Sequence, residues 1–176
     1  MLLLLIEIFS LKKIYHFYKE HHGHTSSLVC VIVDINVAKR VLIHNNDKDY
    51  LKLHKAIYSK TNSPVVKIVY GGKLTDEYVK DAEVMQTALL LMSAGKAQKV
   101  DYHVVSKEAM LIKNSLRYKS NDEHILALAR VSGARILASS DKDLKTDFKD
   151  QLLINKPRGK IYGSPTHGSL LNRLCK

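Results

Sequence analysis

The chain is short of acid, of cysteine and of long apolar runs. Only 17 of its 176 residues are Asp or Glu, against 28 Lys and Arg, so the formal net charge is +11. Such a balance points to a polyanionic partner, nucleic acid first, although an anionic membrane surface or an acidic protein satisfies the same charge. Two cysteines, Cys30 and Cys175, are too few for a disulfide scaffold and lack the CxxC spacing of a structural zinc site. A reducing, cytoplasmic setting is expected, with Cys30 acting as a small buried apolar residue. No run approaches the roughly 20 apolar residues that a bilayer-spanning helix needs, so no stable membrane span is expected. The opening Met1 to Phe9 is apolar, but no basic residue precedes it and Glu7 interrupts it, unlike a secretory leader. Internal repeats and low-complexity blocks are also missing.

What is present suits one domain with an appendage at each end. Residues 4–18 have the pattern of an amphipathic helix. His21-His22-Gly23-His24-Thr25-Ser26-Ser27 then reads as a linker, whose flexibility makes its histidines poor holders of a metal. An N-terminal helix and linker over 1–27, a domain over 28–155 and a basic tail over 156–176 follow from this division. With 45% hydrophobic residues the middle segment can bury a sheet between helical layers.

Within that domain two kinds of segment alternate. Leu28 to Val33 is a continuous apolar, β-branched run, as expected of a strand buried on both faces. Further strands are predicted at 65–70, 100–105, 135–139 and 152–154. Apolar residues recur at helical spacing over 48–59, 75–94, 106–116 and 121–132. The alternation predicts an α/β fold: a three-layer α/β/α, doubly wound, mostly parallel sheet of about five strands. Ligands of such sheets sit at the carboxyl ends of the strands. Gly71-Gly72-Lys73 lacks the GxxxxGK[ST] spacing of a phosphate loop and reads as a turn.

The scarce acids recur where strands end or helices begin. Asp34 follows the first apolar run, with Asn36 two residues on. Asp76 and Glu77 open one helix, Asp122 and Glu123 another, and Asp141 and Asp143 follow Ser139-Ser140. If the first and fourth strands are parallel neighbours, Asp34 and Asp141 emerge side by side. Carboxylates so gathered repel one another, and a divalent cation relieves the repulsion. Mg²⁺ or Mn²⁺, which prefer hard oxygen ligands, suit an open site of this kind and activate phosphodiester hydrolysis. Bland alternatives stand beside these roles. Ser120 and Glu123 match a capping box, Thr75 can cap the helix bearing Asp76 and Glu77, and Asp143 and Asp147 suit a solvated turn or helix. Asp34 is hardest to assign structurally, because a charge at a buried strand end needs a compensating partner.

Three segments together resemble the motifs of PIN-domain nucleases. Val31-Ile32-Val33-Asp34-Ile35-Asn36-Val37 is similar to the first, Asn121-Asp122-Glu123-His124-Ile125-Leu126-Ala127-Leu128-Ala129 to the third, and Ile136-Leu137-Ala138-Ser139-Ser140-Asp141-Lys142-Asp143-Leu144 to the fourth. They occur in family order, and the likeness covers about 28–155. The resemblance implies a Mg²⁺- or Mn²⁺-dependent endoribonuclease with Asp34, Glu77, Asp122 and Asp141 as catalytic acids, Asp76 being the alternative to Glu77. It implies metal ligation by Asp34, Asp122, Asp141 and Asp143, with Asn36, Ser139 and Ser140 in support. An RNA substrate, a homodimer and, as in VapC-type toxins, an antitoxin partner are further implications. In the tail, Lys156, Arg158 and Lys160 are candidate phosphate contacts and Tyr162 a stacking platform. A haloacid-dehalogenase-type phosphatase would need a second acid where Asn36 stands. A non-catalytic binding module and a structure-specific DNA nuclease remain as alternatives.

Overall fold

The computed structural model describes residues 28–60, 65–114, 117–155 and 157–172; the helix and linker read over 1–27, and Lys156, lie outside the described residues. Five strands form one sheet: β1 (Leu28–Val33), β2 (Val65–Gly71), β3 (Ala97–Val100), β4 (Ile136–Ala138) and β5 (Lys160–Tyr162). Their order is β3-β2-β1-β4-β5, and every pairing is parallel. β1 therefore lies at the centre, which explains its unbroken apolar sequence: Val29, Val31, Ile32 and Val33 are all fully buried.

Seven described α-helices complete the three-layer α/β/α arrangement. They are α1 (Ile35–Leu42), α2 (Leu51–Tyr58), α3 (Lys73–Val79), α4 (Ala82–Ser93), α5 (Tyr102–Lys113), α6 (Glu123–Ser132) and α7 (Lys142–Lys149). A 3-10 helix follows at Pro165–Asn172. Helix α6 is the most enclosed, with His124 to Ala129 all buried, and it ends at Gly133 in the left-handed conformation (φ 74°). Each fully buried aliphatic side chain in this core contributes roughly 1.5–3 kcal/mol relative to exposure.

Four expectations from the sequence are corrected by local chemistry. The predicted strand at 100–105 stops at Val100, because the Asp101 carboxylate accepts the backbone N–H groups of His103 (2.9 Å) and Val104 (3.1 Å) and starts α5. The helix predicted over 75–94 is two helices. Asp81 breaks it with extended backbone and accepts from Val84 N–H, capping α4. The predicted strand at 152–154 is a turn: Arg130 donates to the Leu153 carbonyl at 2.7 Å and to Leu152 at 3.5 Å, while the Asp150 carbonyl accepts from the Leu153 and Ile154 N–H groups. These groups are then unavailable to a strand ladder. The fifth strand lies instead at 160–162, inside the segment read as tail, and Tyr162 is fully buried there.

One smaller difference concerns a single turn. Gly72 takes φ 54° as the N-cap of α3, so the turn read at Gly71-Gly72-Lys73 is present but Thr75 does not cap the helix. Cys30 is buried in β1.

Candidate functional site

Strand order fixes where the site lies. From β1 the chain moves outward through β2 to β3, then returns to β4 on the other side of β1, which makes the β1/β4 junction the switch point of the sheet. Val33 is in register with Ala138, and Asp34 N–H donates to the Ala138 carbonyl at 2.9 Å. The residues that follow, Asp34 on one strand and Ser139-Ser140-Asp141 on the other, are thereby set side by side.

A short network ties these two strand ends together. Ser139 Oγ and Asn36 Nδ2 each donate to Asp34 Oδ2 at 2.6 Å. Ser140 N–H donates to Asn36 Oδ1 at 3.0 Å, and Asp141 N–H to Ser139 Oγ at 3.0 Å. Asp141 Oδ1 accepts from Leu144 N–H at 2.6 Å, so one carboxylate oxygen caps α7. Beneath the site, the fully buried Tyr78 hydroxyl donates to the Val33 carbonyl at 2.5 Å and anchors the last peptide before Asp34.

Glu77 and Asp122 approach from two further helices. Glu77 is half-buried and Asp76 exposed, and of the two it is Glu77 that is among the groups acting on Asp34 and Asp122. Asp122 precedes α6 in the N-cap position, but its carboxylate makes no capping hydrogen bond. The capping box read at Ser120 and Glu123 does not form, since the buried Ser120 hydroxyl has no hydrogen-bond partner. The Asp122 carboxylate is thus not committed to its helix.

The charges sense one another. Burial pushes the Asp34 carboxyl above the usual carboxylate range, with the Ser139 and Asn36 hydrogen bonds opposing and Glu77 reinforcing the rise. Asp122 is raised by burial, and Asp34, Asp141 and Glu77 each add to its rise while His124 opposes it. Burial also pushes Glu77 upward, but His124, Lys73 and Lys80 outweigh it and leave the carboxyl below its usual range. His124 had no assigned role in the sequence. Its side chain is 4% exposed, its Nε2 lies 3.4 Å from Glu77 Oε1, and neither ring nitrogen makes a hydrogen bond. A histidine opening an otherwise apolar, fully buried helix face was the signal available for it.

Other candidates are placed elsewhere. Asp143 is exposed on the first turn of α7 and is absent from the groups acting on Asp34 and Asp122. Asp147 is not solvated. It is 3% exposed, and its Oδ2 accepts from the Lys119 and Ser120 N–H groups at 2.8 and 2.7 Å, fixing the loop that leads to Asp122. Arg158 is exposed and its guanidinium donates to the Lys149 carbonyl at the end of α7. Lys160 is half-buried in β5. Tyr162 offers no stacking platform, because its ring is buried between Tyr50 (6.3 Å) and His167 (6.2 Å).

The donor set suits a hard divalent cation in chemistry: carboxylate oxygens, partly desolvated and mutually repelling. Among the described residues no three His, Cys, Asp or Glu groups already stand close enough together to hold an ion. Closure around one would need side-chain rotation. Fold and site define a doubly wound α/β protein with four carboxylates at its switch point. Comparison with family models, with curated proteins and with solved structures gives no match.

Proposed function

We propose that this chain is a divalent-metal-dependent endoribonuclease of the PIN type. The reading is carried by one observation: Asp34, Glu77, Asp122 and Asp141 come from four separate stretches of chain to the carboxyl edge of a parallel sheet, where Glu77 acts on the ionisation of Asp34, and Asp34, Asp141 and Glu77 on that of Asp122. Structure alone does not require this of them, since Asp34 is 6% exposed and harder to ionise there than in water. In this reading Asp34, Asp122 and Asp141 would hold Mg²⁺ or Mn²⁺, which when bound would polarise the scissile phosphate and favour ionisation of an attacking water.

The remaining roles belong to the protein itself. Ser139 and Asn36 fix the orientation of Asp34 through a shared oxygen, and Ser139 passes the same order on to the Asp141 backbone. Glu77, kept ionised by His124, Lys73 and Lys80, supplies an acceptor for a proton at the edge of the site. The +11 charge of the chain attracts the rest of the polyanion.

Cleavage of a panel of single-stranded and structured RNA with Mg²⁺, Mn²⁺ or EDTA tests the proposal. Metal-dependent cutting by the wild type, reduced at least about a hundredfold in Asp34→Asn, is expected. A non-catalytic binding module is the second reading, favoured by the carboxylates not being closed to metal-holding distances. Absence of cutting across the panel, with RNA binding retained, would establish it.

A further inference from the structure

A groove of about 490 Å³ opens beside the carboxylate site, and its lining includes Arg40, Tyr50, Ser140, Lys142, Lys145 and Lys149, with Ser139 and His167 also on its wall. We propose that this groove is the track on which single-stranded RNA lies as it reaches the site, with phosphates held by Lys142, Lys145 and Lys149. The assignment rests on the nuclease reading for its substrate and on the groove for its residues.

Three observations carry it. First, the lysines fall at i, i+3 and i+7 of α7, so they form one stripe about 10 Å long, while Leu144, Asp147 and Phe148 turn the opposite face of the helix into the core. Second, their charge is unspent: among the described residues, no carboxylate lies within ion-pairing distance of any of the three. Arg40 is different, because Asp47 (2.7 Å) and Asp49 (3.5 Å) engage its guanidinium, which also lies over the Tyr50 ring at 4.9 Å. It builds the facing wall, and the lysines carry the net positive field. Third, groove and site share Ser139 and Ser140, the residues that bond Asp34 and Asn36. A backbone seated on the lysines therefore meets the carboxylates without crossing the sheet. His167 adds a ring at the far side. Its Nδ1 accepts from Gly163 N–H at 3.2 Å, which leaves the proton of the neutral ring on Nε2 as a donor to phosphate.

The test is fluorescence anisotropy of a short fluorescein-labelled single-stranded RNA in EDTA, titrated at several KCl concentrations, alongside cleavage in Mn²⁺. Wild type is compared with Lys142→Gln/Lys145→Gln/Lys149→Gln and with a charge-matched control, Lys99→Gln/Lys107→Gln/Lys113→Gln, whose lysines are all exposed on β3 and α5. All are surface changes, and unchanged melting temperatures verify folding. The groove variant is expected to lose roughly tenfold or more in affinity and to flatten the slope of log K against log salt by about 2, at ~0.7 per lost phosphate contact. The control should keep most of both. Equal losses in the two variants would mean diffuse attraction and overturn the track, as would no loss in the groove variant. The two readings separate cleanly: RNA bound through the groove lysines and never cut removes the nuclease and keeps the track, whereas wild-type cutting matched by the groove variant removes the track and keeps the nuclease.

Discussion

Asp34 holds an unfavourable position for a charged group. Its carboxyl is raised by burial, so the fold favours its protonated form; the stability this gives is full below the unfolded pKa and is lost as pH rises through the folded one. Near neutral pH, in EDTA, Asp34→Asn is therefore expected to melt no lower than the wild type, since the replacement keeps an oxygen to accept from Ser139 and Asn36. Adding Mg²⁺ or Mn²⁺ should raise the wild-type melting point and leave the variant unmoved. At a hundredfold excess over Kd the gain is about 2.7 kcal/mol, or roughly 5–10 °C for a chain of this size. Differential scanning fluorimetry measures both shifts, and an equal metal response in the two proteins would exclude Asp34 as a ligand.

Asp47 gives the opposite pH behaviour. Its hydrogen bond from Arg40 lowers the carboxyl below the usual range, so it contributes stability above the unfolded pKa that disappears as pH falls through the folded one. Urea unfolding at descending acidic pH should therefore show a shallower loss of stability in Asp47→Asn than in the wild type. Because Asp47 also accepts from Asp49 N–H and shapes the turn before α2, the variant should be less stable at neutral pH.

Among the elements, the ones legible in the sequence were those whose pattern and punctuation agree. β1, β2 and β4 are apolar runs buried in the middle of the sheet, and α6 has a strong helical pattern closed by Gly133. Elements were misread where one polar side chain overrode an apolar run, as Asp101 did for β3 and Arg130 did for residues 152–154. That Asp34, Asp122 and Asp141 stand where helices begin was legible from motif spacing. The places of His124 and the α7 lysines were not, since burial beside Glu77 and a shared groove wall are properties of packing. Asp147 illustrates the same limit and yields a prediction. Truncation by Asp147→Ala leaves the buried Ser120 N–H unpaired, at roughly 1–3 kcal/mol, removes the partner of the part-buried Lys119 N–H, and frees the loop before Asp122. Lower stability together with weaker RNA cleavage is expected, and Asp147→Asn, which retains an acceptor oxygen, should recover part of both. Urea titration and cleavage rates report the two effects separately.

For the whole molecule, residues 157–172 are part of the domain. β5 completes the sheet beside β4, Tyr162 packs against Tyr50, and a Cβ on Gly159 would stand 2.0 Å from the Phe148 carbonyl, so the segment is fitted closely onto α7. Truncation after Asn155 is thus expected to abolish cooperative unfolding, not merely to weaken RNA binding; circular dichroism melting of the shortened chain checks this. A sharp melting transition near that of the full chain would show that the sheet stands without its fifth strand.

Both outer strands are short, four residues in β3 and three in β5, and each carries a lysine, Lys99 and Lys160. Open sheet edges normally invite pairing with a neighbouring molecule, because their unpaired N–H and C=O groups form a ready template. Brief edges studded with positive charge give such a neighbour little backbone to grip and a repulsive approach. The same surplus of lysine proposed to draw in a polyanion thereby guards the sheet against growing into aggregates, and a polyanion that neutralised the charge would weaken that protection.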